Sequence, residues 1–300
     1  MPDASLIWTE RTPRVVAARK LLRRAGRERA GRFLAEGAQA VGAALTSATS
    51  TEAFSGPDAV TSTDEAAGRT AGGHRVSRVF EVFATEAAAA RNTELLAVAS
   101  AAAIPVSTIT ERAAAALSET VTPQGLLAVC GRIDVSLADA LAGAPRLVVV
   151  LLEASDPGNA GTVIRVADAA GADAVVLAGD AVDPHNGKCV RGSAGSVFHL
   201  PVAVERDVAR VLAECRRSGL RLLAATADGE HDLFAAETSA MLAGPTAWLF
   251  GSEAHGLPAH VAAAADDRIR VPIYGRAESL NLATAASVCV YAAAHAHRPE

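Results

Sequence analysis

Aromatic residues are scarce in this chain, at 4% of 300 positions, with two Trp and two Tyr. Half of the residues are nevertheless hydrophobic, so a sizeable core is expected, built mainly of Ala, Val and Leu, and global disorder is excluded. The four cysteines (Cys130, Cys189, Cys215, Cys289) include no C-x-x-C pair. They fit neither a zinc site nor a disulfide framework and read as small buried residues of a reducing compartment. The N-terminal MPDASLIWTERTPR has no apolar signal-peptide core, and no apolar run is long enough to span a bilayer. A cytoplasmic protein without membrane or metal is therefore expected. A net charge of −5 argues against a general nucleic-acid binder, but net charge hides distribution.

Residues 10–37 are locally basic. Arg11, Arg14, Arg19, Lys20, Arg23, Arg24, Arg27, Arg29 and Arg32 face only Glu10, Glu28 and Glu36. With Val15, Val16, Leu21 and Leu22 as a thin apolar stripe, a short basic amphipathic helix is expected. That density exceeds what solubility needs and favours phosphate binding, with Arg19, Lys20, Arg23 and Arg24 as the RNA-contacting set. RFLAEG reads as a strand, followed by a helix over 38–45. Residues 46–74 are rich in Ser, Thr, Gly and Ala and lack any period, which suggests a flexible insertion. A strand over 75–84, a helix over 86–103, a strand over 104–109, a helix over 111–117 and a strand over 121–133 complete a small α/β domain, residues 1–133. A linker at 134–145 precedes a second domain, residues 146–300. There, strands such as RLVVVLLE, ADAVVLAG, TAWLF and RIRVPI alternate with helices. Continuous apolar strands of this kind belong to a parallel sheet covered on both faces, with ligands at its carboxyl edge.

Three stretches of that second domain carry chemistry, each on a strand-to-helix edge. In EASDPGNAGTVIRVADAAGA, Asn159 sits where a helix begins, either as its N-cap or as a site residue. Arg165, six residues on, lies among apolar neighbours, where a charge must be paired or face a site. The spacing is not G-x-G-x-x-G, which excludes a dinucleotide fingerprint. In LFGSEAHGLP, Gly251 and Gly256 bracket Glu253 at a strand end, and G-x-S-x-G is not met, so no nucleophile elbow is supported. In VPIYGRAESLNLATAASVCVYAAAHA, Ser279 or Glu278 can cap a helix with Asn281 in its first turn. That helix is apolar nearly all round and must be buried in the core or against another subunit.

The order D-P-x-N-x-G-x-x-x-R, F-G-x-E-x-x-G-L, then P-I…S-L-N over residues 147–295 resembles the SpoU (TrmH-like) branch of the SPOUT RNA 2′-O-ribose methyltransferases. Within it, the chain looks most like the thiostrepton-resistance type that acts on ribosomal RNA. The first half is similar in layout to the small α/β RNA-binding domain that precedes the catalytic domain in many members. The resemblance implies an α/β fold whose C-terminal, mostly parallel sheet domain carries a deep trefoil knot. It implies S-adenosyl-L-methionine (AdoMet) as methyl donor, structured RNA as partner, and a homodimer. By motif position, Gly251, Val271, Ile273, Leu280 and Leu282 line the cofactor pocket. Asn159, Arg165, Glu253, Ser279 and Asn281 surround the reacting ribose. Ala283-Thr284 departs from the small Ser that many members carry there, and leaves the assignment standing.

The reaction implied is methyl transfer from the sulfonium to a ribose 2′-hydroxyl, for which the protein supplies alignment and a polarised hydroxyl. Arg165 is the family's candidate for that polarisation. A guanidinium with a pKa above about 12 is a poor base. Holding the RNA phosphate and hydroxyl is therefore favoured over a role as a base made neutral by desolvation. A transfer-RNA methyltransferase of the same family and a non-catalytic RNA-binding protein with the same fold are the rival readings.

Overall fold

A computed structural model describes residues 7–49 and 78–297, and among these the chain forms two units. The first comprises residues 7–49, 78–133 and 183–199, and the second residues 134–182 and 200–297. Most of the expected insertion, residues 50–74, lies outside the described residues, and its first four residues extend the helix Ala38–Thr49.

The first unit is built on four strands, β1 (Arg32–Glu36), β2 (Val79–Ala84), β3 (Val106–Thr108) and β4 (Leu126–Gly131), in the order β1-β4-β2-β3. β4 runs antiparallel to both neighbours and β3 parallel to β2. Their apolar faces, with Phe83, Leu127 and Leu34, close on Val15, Leu21 and Leu117 from the helices. The basic segment is not one helix. It breaks into Pro13–Arg19, a 3-10 turn Lys20–Leu22, and Arg24–Ala30. The break lets the third piece fold back, so that a Cβ on Gly26 would stand 1.9 Å from the Lys20 carbonyl oxygen. Only glycine fits there. The helix expected over 86–103 is likewise two, Glu86–Arg91 and Thr93–Ala101, because the Asn92 side-chain amide donates back to the Ala88 carbonyl at 2.8 Å.

Arg27 does not belong to the basic surface. It is 3% exposed, donates to the Leu21 and Leu22 carbonyls at 3.0 Å, and meets Asp183 at 2.7 Å. The Ile133 backbone N–H donates to His185 Nε2 at 3.2 Å, which places the imidazole proton on Nδ1, facing Asp183 Oδ1 at 3.2 Å. Burial raises the Asp183 carboxyl, but His185 and Arg27 outweigh it and hold that group well below the usual carboxylate range. Residues 183–199 are thereby fixed to the first unit.

The second unit contains seven parallel strands: β5 (Leu147–Leu152), β6 (Ala174–Ala178), β7 (Val202–Glu205), β8 (Arg221–Ala225), β9 (His231–Asp232), β10 (Thr246–Phe250) and β11 (Asp267–Arg270). Their order is β7-β6-β5-β10-β8-β11-β9. β5, β6 and β10 are buried along their whole length, as their unbroken apolar runs require. One face packs Val148, Val150, Leu222 and Leu249 against Val211, Leu212 and Val261. Leu137, Ala140 and Leu141, in and just after the short helix Leu137–Ala140, join the same core. Trp248 and Phe250 stack at 5.9 Å within β10. The helices Pro157–Ala170 and Leu282–Ala296 pack on each other, and the latter also touches β5 and β10. β5 lies where the chain reverses its direction across the sheet, so the carboxyl edge beside it and β10 is a crevice. The four cysteines are free and buried. Burial lifts the Cys189 and Cys289 thiols to about 12, so they are not poised as nucleophiles.

Candidate functional site

At the carboxyl edge of β10 the chain makes a turn closed on itself, with the Gly256 N–H donating to the Ser252 carbonyl at 2.9 Å. A Cβ on Gly251 would fall 1.9 Å from the Gly256 carbonyl carbon, so any side chain at 251 forces the turn open. This tight return presents Glu253 towards the end of β5. There its carboxylate accepts four hydrogen bonds: from the Ser155 N–H and hydroxyl at 3.1 and 3.0 Å, from the Asp156 N–H at 3.3 Å, and from Asn159 Nδ2 at 2.9 Å. Desolvation raises the Glu253 carboxyl, but these donors, Asn159 first, outweigh it and hold the group below the ordinary glutamate value.

Asn159 is free to do this because it is not the helix cap. Asp156 caps Pro157–Ala170, its Oδ1 accepting from the Gly158 and Asn159 N–H groups at 2.6 and 2.9 Å, with Pro157 pre-set in the first turn. The Asn159 side chain therefore points out of the helix start, and its Oδ1 accepts from Asn281 Nδ2 at 3.1 Å. Asn281, and not Ser279 or Glu278, is the N-cap of Leu282–Ala296. Its Oδ1 takes the Ala283 and Thr284 N–H groups at 2.9 and 3.3 Å. The helix starts later than expected because residues 273–281 are held in exposed, non-helical backbone.

These contacts make one chain of fixed polarity, from Glu253 through Asn159 to Asn281 and the helix N-terminus, across sequence separations of 94 and 122 residues. Each amide has one oxygen and one N–H committed. Each keeps a second N–H that no group in this chain of contacts takes, on Asn281 at an exposed residue and on Asn159 at a half-buried one.

Arg165 stands apart from that network. Residues 162, 165 and 169 form the one exposed stripe of an otherwise buried helix face, and among the described residues Arg165 has no hydrogen-bond or ion-pair partner. Burial therefore does not force it to pair, contrary to the sequence argument. A helix rise of about 1.5 Å per residue sets it some 9 Å along the helix from Asn159. Ser279 is exposed and, among the described residues, its side chain has no partner.

Of the expected cofactor residues, Gly251 directly follows β10 and Val271 follows β11, flanking the end of β8. Leu282 is buried, while Ile273 and Leu280 are 38% and 36% exposed. Among the described residues, nothing accepts a hydrogen bond from the backbone N–H groups of residues 273–282. Between the two strand ends lies Thr226, whose N–H donates to the Ile269 carbonyl at 3.0 Å and whose buried hydroxyl has no partner. An orphaned hydroxyl, a glycine turn and a run of unpaired N–H groups beside exposed aliphatic side chains suit a polar heteroaromatic nucleoside such as AdoMet. Sequence reasoning missed Thr226, which nothing in AATADGE distinguishes. It also missed Ser155 and the Asp156 cap, although an Asp directly before Pro is a readable helix start.

The arginines of the first unit also sort themselves. Arg24 pairs with Glu28 at 2.9 Å, Arg14 with Glu81 at 3.2 Å, and Arg112 with Glu10 at 3.2 Å. Arg19, Lys20 and Arg23 are exposed and, among the described residues, unpaired.

Comparison with known proteins shows what the chain is similar to. A family model described as the SpoU rRNA Methylase family matches residues 146–291, and one described as an MRM3-like substrate binding domain matches residues 12–128. A Bacillus subtilis 23S rRNA guanosine 2′-O-methyltransferase, RlmP, is 39% identical over 61% of this chain and 70% of its own length. The 23S rRNA guanosine 2′-O-methyltransferase RlmB of Ralstonia nicotianae is 32% identical, and the match spans 61% of its length. An AdoMet-bound rRNA methyltransferase from Sinorhizobium meliloti superposes with a TM-score of 0.75 at 26% identity, covering 96% of this chain and 98% of that one. The SpoU methyltransferase AviRb of Streptomyces viridochromogenes, in complex with AdoMet, gives 0.74 at 25% identity, covering 95% and 98%.

Proposed function

The chain belongs to the SpoU rRNA methylase family, and from that premise we propose that it transfers a methyl group from AdoMet to a ribose 2′-hydroxyl of ribosomal RNA. The observation that carries this reading is the Glu253–Asn159–Asn281 chain, which ties the three motif stretches into one edge of the sheet. Bound AdoMet supplies a methyl group already activated on sulfonium. Gly251, Val271, Ile273, Leu280 and Leu282 hold the cofactor side, and the Thr226 hydroxyl adds a donor to it. Glu253, saturated by four donors and acidified by them, is a weak base. Its role is to orient Asn159, and through it Asn281, whose spare N–H groups face the ribose. Arg165, whose side-chain donors have no partner among the described residues, holds the RNA phosphate and hydroxyl in line. With AdoMet bound, these residues would hold the ribose hydroxyl in line with the methyl group, and its proton would be left to water at the exposed edge. Ser279 contributes a further hydroxyl to that edge.

The finer features of this reading rest on separate supports. A trefoil knot in residues 146–300 is consistent with β10 and β11 each lying between strands that precede them in the chain. A homodimer is supported by apolar exposure at Tyr274, 87%, and Tyr291, 51%, the second on a helix otherwise largely buried. Residues 1–133 act as the RNA-binding domain, with Arg19, Lys20, Arg23 and Arg24 on its basic surface, and 146–300 as the transferase. Four free cysteines favour the cytoplasm.

The test is a calorimetric AdoMet titration, followed by transfer of labelled methyl to protein-free, unmodified 23S rRNA and to bulk tRNA. Saturable AdoMet binding with label on a 2′-oxygen of 23S rRNA is expected. Label on tRNA alone would move the substrate class, and AdoMet binding without transfer to either RNA would make the protein a non-catalytic member.

A further inference from the structure

Several arginines of the first unit are paired with a carboxylate. Arg14 lies 5.4 Å from the Trp8 ring centroid and is neutralised by Glu81. One cluster breaks this pattern. Arg32 on β1 and Arg78, just before β2, both sit over the ring of Phe80, their guanidinium carbons 3.7 and 4.7 Å from its centroid. Both are exposed, and among the described residues neither side chain has a hydrogen bond or an ion pair.

The strand geometry builds this cluster. Arg32 is the register partner of Gly131, and the Gly131 N–H donates to the Arg78 carbonyl at 2.8 Å, so the two arginines flank a residue with no side chain. The β2–β4 register slips between Val79 and Glu81, leaving Phe80 as the extra residue of a bulge. Bulges re-aim a side chain, and here the ring is turned to the arginines and half-buried. The two guanidinium groups are separated by no more than their two ring distances together. That is about one Debye length at physiological salt, ~8–10 Å, so they repel. Packing over the ring restrains both guanidinium groups, and their N–H donors have no partner among the described residues. A repelling pair of restrained guanidinium groups has one complementary partner chemistry, closely spaced oxyanions.

We propose that Arg32 and Arg78, held on Phe80, form a phosphate clamp on the RNA backbone, separate from the Arg19–Lys20–Arg23 surface. The proposal rests on the reading that the substrate is RNA. The clamp adds no sequence discrimination. It positions the RNA by two phosphate contacts whose ordering entropy is already met by the packing over the ring.

The full chain, the R32A/R78A variant and the R32K/R78K variant are titrated with unmodified 23S rRNA transcript over a series of KCl concentrations. For R32A/R78A the slope of log affinity against log salt is expected to fall by about 1.4 to 1.8, the loss of two phosphate contacts. R32K/R78K keeps both charges but neither the flat guanidinium nor its fork, and is expected to keep the slope while binding roughly five- to tenfold more weakly. AdoMet affinity should match the unsubstituted chain in both. A folded R32A/R78A variant with the original slope, or R32K/R78K with the original affinity, would overturn the clamp and leave the arginines as a cover for Phe80. A parent chain that neither binds nor methylates the transcript would instead end the RNA reading itself.

Discussion

Two polar clusters hold distant parts of this chain together, and they are finished differently. In the first unit, Arg27 is inside, with donors on two carbonyls and a carboxylate, and Asp183 is spent on Arg27 and His185. In the second unit, Glu253, Asn159 and Asn281 are also hydrogen-bonded across long separations, but all three are at the surface or near it, and the amides keep spare N–H groups. A cluster that consumes its own valence and excludes water is a fastening. A cluster that fixes its members while leaving donors open is a pre-organised site. The distinction can be broken experimentally, because it predicts that the first cluster governs stability and the second governs turnover.

The largest effect is expected for Arg27→Ala. Removing the guanidinium leaves the Asp183 carboxylate and two carbonyls desolvated without their partner, a situation that costs about 3–5 kcal/mol. The loss should appear as a lower midpoint in urea unfolding, while AdoMet affinity of the still-folded protein is unchanged. A loss below about 1 kcal/mol would place Arg27 with the surface arginines after all.

Arg165→Ala comes next. Arg165 is exposed and unpaired, so its removal should alter stability by no more than about 0.5 kcal/mol. Methyl transfer should fall at least a hundredfold, about 2.7 kcal/mol of transition-state stabilisation, with AdoMet affinity intact. Full turnover in this variant, or lost cofactor binding by calorimetry, would remove the residue from the assigned role.

The two clusters also differ in how far they could be read in advance. The strands of the second unit were legible because covered parallel strands must be apolar throughout, as in LVVVLL and TAWLF. The three motif stretches were legible because glycine, proline and amide side chains at strand ends are costly unless something needs them there. Arg27 was not, since in a run of nine basic residues the buried one carries no local mark. Its burial is decided by Asp183, 156 residues away. The cap assignments failed for a related reason. Asp156, Asn159, Glu278, Ser279 and Asn281 are all residue types suited to helix starts, and only the tertiary position of Glu253 selects which amides are released to it. The register slip that turns Phe80 towards two arginines is likewise a property of strand pairing, invisible in RVFEVFA.

The smallest effect, and the one that sharpens the comparison most, is that of Glu253→Gln. The substitution keeps the shape and replaces a pure acceptor by a group that is half donor. The new amide oxygen can serve either Asn159 or the Ser155 and Asp156 N–H groups, but its N–H₂ then faces a donor on the other side. If Asn159 flips to accommodate it, its own N–H₂ meets that of Asn281, whose orientation is locked by the Ala283 and Thr284 N–H groups. The fault therefore travels to the helix start, and turnover is expected to fall roughly tenfold, near 1.4 kcal/mol. Because the Glu253 carboxyl is held below the ordinary value of about 4.3, its contribution to stability is fully present above that value. It is lost only as pH falls through the lower, folded-state pKa. Melting temperatures of the parent and the variant should hence differ by a small, constant gap from pH 7 down to the ordinary glutamate range, and converge below it. A gap that has already closed at pH 5 would mean that the carboxylate is not stabilised by its four donors, and the second cluster would lose its claim to be pre-organised.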